Sequence, residues 1–299
     1  MKPLTFYALF FLLFACASPS PQEKKANLHH LQLGAGSVER IVAFENQYVS
    51  PRNIDVWLPE SYSSDNKYAV LYMHDGQMLF DSTSTWNKQE WKVDEIVNGL
   101  IQTKAIRECI VVGIWNGGPN RRADYFPQIP FESLSDSIQD EIYGVERHGQ
   151  SLMAIKVNSD NYLKFIVNEL KPIIDRRYST LKESENTFIA GSSMGGLISM
   201  YAICEYPETF GGAACLSTHW PGVEEIEGAI IPEAFANYLK EHLPSPSKHR
   251  IYFDYGTETL DALYAPWQSQ IDTIFFNSAY SEENWQSKKF PGADHSERA

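Results

Sequence analysis

Two hydrophobic patterns alternate along the chain. Short, mostly apolar runs recur at Tyr68–Met73, Glu108–Ile114, Thr187–Ala190 and Gly212–Ser217, and Arg250–Asp254 and the more polar Trp285–Phe290 read as two further strands. A run apolar on both faces is what a strand in the middle of a parallel sheet needs. Between these runs lie longer stretches with helical spacing. They are Trp91–Leu100, Ser159–Tyr178, the segment from Met194 to Glu205, Pro232–Leu243 and Asp261–Tyr280. In Ser159–Tyr178 the residues Tyr162, Phe165, Ile166, Leu170 and Ile173 share one face, and Pro172 is expected to kink the helix. Pro232 sits in the first turn of its helix, where a missing N–H costs nothing. Val38–Phe44 and Arg52–Leu58 instead alternate apolar with polar, which predicts an antiparallel pair joined through Asn46–Pro51. Strand alternating with helix predicts an α/β fold: a mainly parallel central sheet with helices on both faces. Residues 128–157 are polar, acidic and weakly patterned, and read as a lid-like insertion over the site. No repeat or domain boundary is visible inside 38–299.

The first residues are patterned differently. Met1-Lys2 is positive, and Leu4 to Phe14 is an apolar run too short to span a bilayer, as in a signal peptide. It ends in Leu13-Phe14-Ala15-Cys16, which resembles a bacterial lipobox with Cys16 as the lipidated residue. The expected division is signal peptide 1–16, polar tether 17–37 and a globular domain 38–299, held at the bacterial cell envelope through a lipid anchor or released there. The 299 residues carry a net charge of −13, which argues against nucleic acid or a bare anionic membrane surface as a partner. A hydrophobic content of 43% is enough for a large core. Besides Cys16, the cysteines Cys109, Cys204 and Cys215 lie in apolar contexts, as small buried hydrophobes do. There is no C-x-x-C, H-x-H or H-E-x-x-H, so no metal site is predicted.

The chemistry centres on Gly191-Ser192-Ser193-Met194-Gly195, which follows an apolar run and opens a helix. This is the G-x-S-x-G turn between strand and helix, where a strained serine projects its Oγ above the sheet. In that register Ser193 is the nucleophile, and side chains at Gly191 or Gly195 would collide with the tight turn. The Met194 N–H, at the helix head, points at an incoming oxyanion. The second oxyanion donor is expected in His74-Asp75-Gly76-Gln77, directly after the Tyr68–Met73 strand, at Gln77 or Gly76. His74 and Asp75 themselves are read as structural. A serine hydroxyl needs an imidazole to take its proton, and the imidazole needs a carboxylate to fix its tautomer. An α/β-hydrolase orders these Ser, acid, His along the chain. His295 follows the last strand, and Asp261 follows the strand before it, with Glu258 as the alternative acid. Trp115, Asn116 and Arg121, after the Glu108–Ile114 strand, and His219 and Trp220, after Gly212–Ser217, are candidates for the pocket wall, because ligands bind at this edge of open α/β sheets. The alternative for Arg121 is an ion pair with Asp124 or another carboxylate.

Together these motifs resemble the putative-esterase branch of the α/β-hydrolase superfamily, which holds enterochelin-type siderophore esterases, feruloyl esterases, S-formylglutathione hydrolase and mycolyltransferases. The resemblance covers about residues 38–299. It rests on His74-Asp75-Gly76-Gln77, Gly113-Ile114 with Asn116, Arg121, Tyr125 and Pro127, Gly191-Ser192-Ser193-Met194-Gly195-Gly196, Gly256-Thr257-Glu258-Thr259-Leu260-Asp261, and Gly292-Ala293-Asp294-His295-Ser296-Glu297. It implies an α/β-hydrolase fold and a serine carboxylic-ester hydrolase working through an acyl-enzyme without cofactor. The substrate would be a small-molecule or glycan ester. An acyltransferase or a binding lipoprotein of the same fold are the alternatives. Relatives continue past the histidine motif into a tryptophan and a closing helix, whereas four residues follow His295 here; either the natural protein is short or the chain is truncated, and truncation would leave the base near a fraying end.

Overall fold

A computed structural model describes residues 31–298 and the strand Lys25–Ala26. The signal-peptide stretch, the lipobox with Cys16 and the first part of the expected tether lie outside the described residues.

Nine strands form one sheet. In chain order the strands are β1 Lys25–Ala26, β2 Ser37–Phe44, β3 Arg52–Leu58, β4 Ala69–His74, β5 Cys109–Ile114, a separate hairpin of β6 Glu146–Arg147 with β7 Gln150–Ser151, β8 Thr187–Ser192, β9 Gly212–Leu216, β10 Arg250–Tyr255 and β11 Trp285–Lys289. The sheet order is β1-β2-β3-β5-β4-β8-β9-β10-β11. From β5 to β11 every neighbour is parallel, and the pairs involving β1, β2 and β3 are antiparallel. This is the α/β-hydrolase architecture that the alternation of runs predicts. The antiparallel pair and the six further expected strands fall where predicted, within one or two residues.

Side-chain alternation divides the core between the two faces of the sheet. On β5, Ile110, Val112 and Ile114 join the larger cluster, while Val111 joins the smaller one with Met73 and Ala190. The smaller cluster is covered by the helix Val93–Gln102 through Val93 and Val97. The larger is covered by the helices from Ser159 to Arg177, Met194–Glu205, Ile230–His242 and Ala265–Phe276. The helix Met194–Glu205 is buried from Met194 to Cys204, which is why its sequence is apolar all round. The Pro172 kink takes a particular form. The helix runs as α over Ser159–Lys164, as π over Phe165–Leu170 and as α again over Lys171–Arg177. A proline lacks its N–H and clashes with the carbonyl four residues back, and a widened turn before Pro172 accommodates both defects.

Three expectations are corrected. Residues 31–36 are not a free tether: the Gly34 N–H donates to Asp94 Oδ2 (2.7 Å), and Trp57 Nε1 donates to the Ala35 carbonyl (2.9 Å). Residues 128–157 are not a lid over the site. They form the helices Gln128–Glu132 and Asp136–Gly144 and the β6–β7 hairpin. They bury Phe131, Leu134, Ile142, Met153 and Val157 in the larger cluster. The apolar side chains that fasten this segment are too widely spaced to form a periodic pattern. Finally, His295 is not on a fraying end. The Ala293 carbonyl accepts from the Thr257 (2.9 Å) and Glu258 (3.0 Å) amides, and the His295 N–H donates to Thr259 Oγ1 (2.9 Å).

Candidate active site

Parallel register brings the C-terminal ends of β4, β5, β8, β9, β10 and β11 to one edge of the sheet. Met73 pairs with Ala190, His74 with Ile114, and Ser192 with Leu216. Ser193 leaves β8 at φ 61°, ψ −121°, a backbone region that L side chains rarely occupy. The strain is held by the surrounding hydrogen bonds. The Ser193 N–H donates to the Leu216 carbonyl (2.9 Å), and the Ser193 carbonyl accepts from Gly196 (2.9 Å), Leu197 (3.2 Å) and His219 (3.2 Å) amides. The steric case for glycine holds at Gly191, where a Cβ would lie 2.8 Å from the Gly195 backbone. At Gly195 a Cβ would meet nothing closer than 3.4 Å. The second tight position is Gly196, where a Cβ would lie 2.9 Å from Thr218 Oγ1.

His295 and Asp261 meet as chain order predicts. His295 Nδ1 is 2.5 Å from Asp261 Oδ1. Asp261 is fully buried, and its Oδ2 accepts from the Ser217 hydroxyl (2.7 Å) and the Gly256 amide (2.6 Å). Burial alone would raise the pKa of this carboxyl, but the hydrogen bonds from His295, Ser217 and Gly256 hold it below the usual range. Glu258 is exposed on the preceding turn. Ser217 escapes sequence reasoning because its only signal is its place at a strand exit, and Gly256, which opens the Gly256–Asp261 motif, gives no sign in sequence that its amide would hold the acid.

The loop after β4 is built around an ion pair. Asp75 adopts a left-handed conformation (φ 56°) ahead of the single 3-10 turn Gly76–Met78. Arg121 grips its carboxylate with both arms (2.7 Å each), and Asn116 Nδ2 donates to the same group (2.7 Å). Burial opposes the charge on Asp75, yet Arg121 and Asn116 keep its pKa below normal. Gly76 is pressed onto β5, where a Cβ would lie 2.5 Å from the Gly113 backbone. Gln77 Oε1 accepts from the Asn116 amide (3.2 Å). Asp124 takes a different partner, Arg52, at 3.0 Å, with both side chains only 1% exposed. His74 Nδ1 bonds the Tyr162 hydroxyl (2.8 Å), and burial lowers the pKa of its ring to about 3, so it is neutral.

A cavity of about 750 Å³ opens over this edge. Ser193, His295, Gln77, Asn116 and Arg121 all line it, as does Asp75. Its outer wall comes from residues without an earlier role, chiefly Trp86, Asn87, Gln89, Trp91 and Glu297. Three expected wall residues point elsewhere. Trp115 donates from Nε1 to Asp55 (2.8 Å) beneath Arg40 on the antiparallel side. Trp220 is in the core, bonded to Gln268 (2.9 Å) and packed on Phe253. His219 is buried and bonded to Tyr264 (2.9 Å). Position after a strand identifies the edge of the sheet, but the direction of a side chain there depends on the turn. Cys204 and Cys215 are buried and Cys109 half-buried, all as free thiols.

A family model described as putative esterase matches residues 46–298. The chain belongs to the putative esterase family. This esterase is 30% identical over 208 residues to the uncharacterized protein YbbA of Bacillus subtilis (strain 168), covering 69% of this chain and 68% of that protein. It is 24% identical over 199 residues to the endo-1,4-beta-xylanase/feruloyl esterase of Xylanibacter ruminicola, covering 64% of this chain and 23% of that protein. Among solved structures, an IroE-like serine hydrolase from Shewanella oneidensis superposes with a TM-score of 0.63 at 18% identity, covering 88% of this chain and 76% of that one. A ferulic acid esterase superposes with a TM-score of 0.59 at 18% identity, covering 88% and 93%. The structural likeness is one of fold. Family membership makes the chain a serine hydrolase of the carboxylesterase type.

Proposed function

We propose that the esterase cleaves carboxylic esters with Ser193 as nucleophile, His295 as general base and acid, and Asp261 as the group that orients His295. The observation that carries this reading is the 2.5 Å contact of His295 with the buried Asp261, on the wall of the cavity that also holds Ser193. Asp261 accepts at Nδ1, so the imidazole keeps its proton there and presents a bare Nε2. Ser193 Oγ attacks the ester carbonyl as its proton passes to Nε2. The carbonyl oxygen, now an oxyanion, is met by the Met194 N–H and the Gln77 N–H. Gln77 is preferred to Gly76 because it lines the cavity. Collapse expels the alcohol, which takes the proton from Nε2. Water then repeats the sequence on the acyl-enzyme, releasing the acid and restoring Ser193.

The cavity supports an ester with a hydroxyl-rich alcohol part. Its amide side chains, from Gln77, Asn87, Gln89 and Asn116, can bond hydroxyls, and Trp86, 85% exposed, offers a ring face at the rim. The reading is tested with a fluorophosphonate probe and peptide mapping, which should mark Ser193 and leave Ser192 free. A substrate panel of feruloylated and acetylated xylo-oligosaccharides, a catecholate siderophore and p-nitrophenyl acetate decides the alcohol. Failure of every glycan ester beside turnover of the siderophore would reverse the choice of substrate. The place of action follows from Leu13-Phe14-Ala15-Cys16: lipid on Cys16 would hold the enzyme at the bacterial envelope. Cys16→Ser should move it from the membrane to the soluble fraction, and unchanged partition refutes the anchor.

A further inference from the structure

Among the described residues, five hydrogen bonds converge on Asp75, which turns the chain from β4 into the loop that carries Gln77. Its N–H donates to the Tyr125 hydroxyl (3.3 Å), and its carbonyl accepts from the Met78 N–H (2.8 Å). Its carboxylate accepts from Arg121 Nε and Nη2 (2.7 Å each) and from Asn116 Nδ2 (2.7 Å). The brace then closes on itself. The Asn116 N–H donates to Gln77 Oε1 (3.2 Å), and Asn116 Oδ1 accepts from the Gly118 N–H (3.0 Å). Arg121 is steadied in turn by the Tyr125 ring, whose centroid lies 5.0 Å from the guanidinium carbon.

The backbone gives the reason for so many restraints. Asp75 sits at φ 56°, ψ 44°, a left-handed conformation that a side chain leaves unless it is held there. Its return to a right-handed conformation would turn the peptides that follow it and swing the Gln77 N–H. Gly76 cannot absorb that change, because it is already pressed onto the Gly113 backbone. Among the described hydrogen bonds none takes the Gln77 N–H, which is left for the cavity that Gln77 lines. On its other side the Asp75 carboxylate meets the nucleophile turn. A Cβ at Gly195, the residue after Met194, would lie 3.6 Å from Asp75 Oδ2. One carboxylate therefore sets the two N–H groups of the oxyanion site against each other. Recognition of a substrate carboxylate by arginine needs two parallel N–H donors, and the Nε and Nη2 donors of Arg121 are already spent on Asp75.

We propose that Arg121 and Asn116 are positioning residues for the oxyanion hole, acting through Asp75 to hold the Gln77 N–H in register with the Met194 N–H. The inference rests on the reading that Ser193 is the nucleophile and the Gln77 N–H an oxyanion donor. Removing one such donor outright costs about 10²–10³ in kcat, and a donor left in place but free to swing should lose about 10- to 100-fold. The loss falls on kcat, since the donors meet an oxygen whose charge develops only in the transition state, and KM should change by less than about twofold.

The test compares p-nitrophenyl acetate with its thiono analogue, in which sulfur replaces the carbonyl oxygen. Sulfur is a larger atom and a weak acceptor, so the hole assists it little. The oxygen-to-sulfur ratio of kcat/KM then reads the hole alone, whereas damage to Ser193 or His295 slows both esters and leaves the ratio standing. Arg121→Met should lower the ratio about 10- to 100-fold. Asp75→Asn keeps a residue that tolerates the left-handed conformation but removes the charge that Arg121 grips, and it should lower the ratio as well. The double variant should be no worse than Arg121→Met alone, because the two residues act as one unit. Asn116→Ala, on a half-buried loop, should lower the ratio by a smaller factor, and it decides the matter if Arg121→Met does not fold. An unchanged ratio in the folded variants refutes the positioning role. A loss in Arg121→Met beside a wild-type ratio in Asp75→Asn also refutes it, since Arg121 would then meet the substrate itself. A wild-type ratio equal to that of uncatalysed alkaline hydrolysis refutes the oxyanion donors, and a fluorophosphonate that leaves wild-type Ser193 unlabelled refutes the nucleophile; either result takes the proposal with it.

Discussion

Replacing Asp261 with asparagine tests the charge and the tautomer of the site in one step. The carboxylate accepts from three donors: His295 at 2.5 Å, Ser217 at 2.7 Å and the Gly256 amide at 2.6 Å. An asparagine has one oxygen to offer, and the Gly256 N–H is a backbone donor that cannot turn away. The amide oxygen therefore faces Gly256 and Ser217, and the amide nitrogen faces His295. That forces Nδ1 to accept and moves the ring proton to Nε2, where it blocks transfer from Ser193. The opposite orientation sets the amide N–H against the Gly256 N–H in a fully buried site, the Ser217 hydroxyl turning to accept, and an unpaired buried donor costs up to about 3 kcal/mol. At that cost about one molecule in a hundred holds the productive tautomer, by the rule of 1.36 kcal/mol per factor of ten. The expected loss in kcat is at least about 10²-fold, rising to about 10⁴-fold, the size attached to a wrong tautomer in a serine protease triad. The assay is p-nitrophenyl acetate turnover with melting temperatures alongside, and Glu258→Gln, at an exposed position, should remain near wild type. A loss in Asp261→Asn below tenfold, or an inactive Glu258→Gln, would refute the assignment. The pH dependence of stability adds a second readout. The folded pKa of Asp261 is lowered, so its contribution is fully present above the unfolded value of about 3.9 and is lost as pH falls through the folded pKa. The acid limb of wild-type stability should be steeper than that of Asp261→Asn.

Three further outcomes follow from the same geometry. Ser193→Gly removes the side chain that makes φ 61° costly, so it should be inactive yet more stable than Ser193→Ala by about 1 kcal/mol in urea unfolding. Equal stability would mean that the turn is unstrained. Gly191→Ala places a Cβ 2.8 Å from the Gly195 backbone, and should shift the turn enough to abolish fluorophosphonate labelling while the rest of the protein still gives a native circular dichroism spectrum. Retained labelling would show that the turn yields. Arg52→Met leaves Asp124 buried and unpaired, and should cost about 3–5 kcal/mol in the same unfolding assay, partly recovered by adding Asp124→Asn. A cost below 1 kcal/mol would mean that water reaches Asp124.

What the sequence determined alone is local or repeated. The apolar runs of β4, β5, β8 and β9 are legible because a strand packed on both faces tolerates few polar residues. The G-x-S-x-G turn is legible because its constraint lies within five residues, though the second tight glycine contact falls at Gly196 and not at Gly195. Chain order brings out Ser193, His295 and an acid in the Glu258–Asp261 segment, because parallel strands deliver their following loops to a single edge.

Tertiary structure decided what depends on direction and burial. Asp261 and Glu258 lie three residues apart with the same chemistry, and only the fold puts one against His295 and the other in solvent. Trp115 and Trp220 leave strand ends as pocket residues would, yet one turns toward Asp55 and the other enters the core. Arg121 could have met Asp124, three residues away. It meets Asp75 instead, because Asp124 is already held by Arg52 across 72 residues of chain. Tyr264 and His219, which bond each other in the buried structure, come from different loops and carry no motif. A motif records constraints between residues close in sequence, whereas a buried charge or hydroxyl selects its partner by distance in space, and that distance is set only once the sheet and its helices have packed.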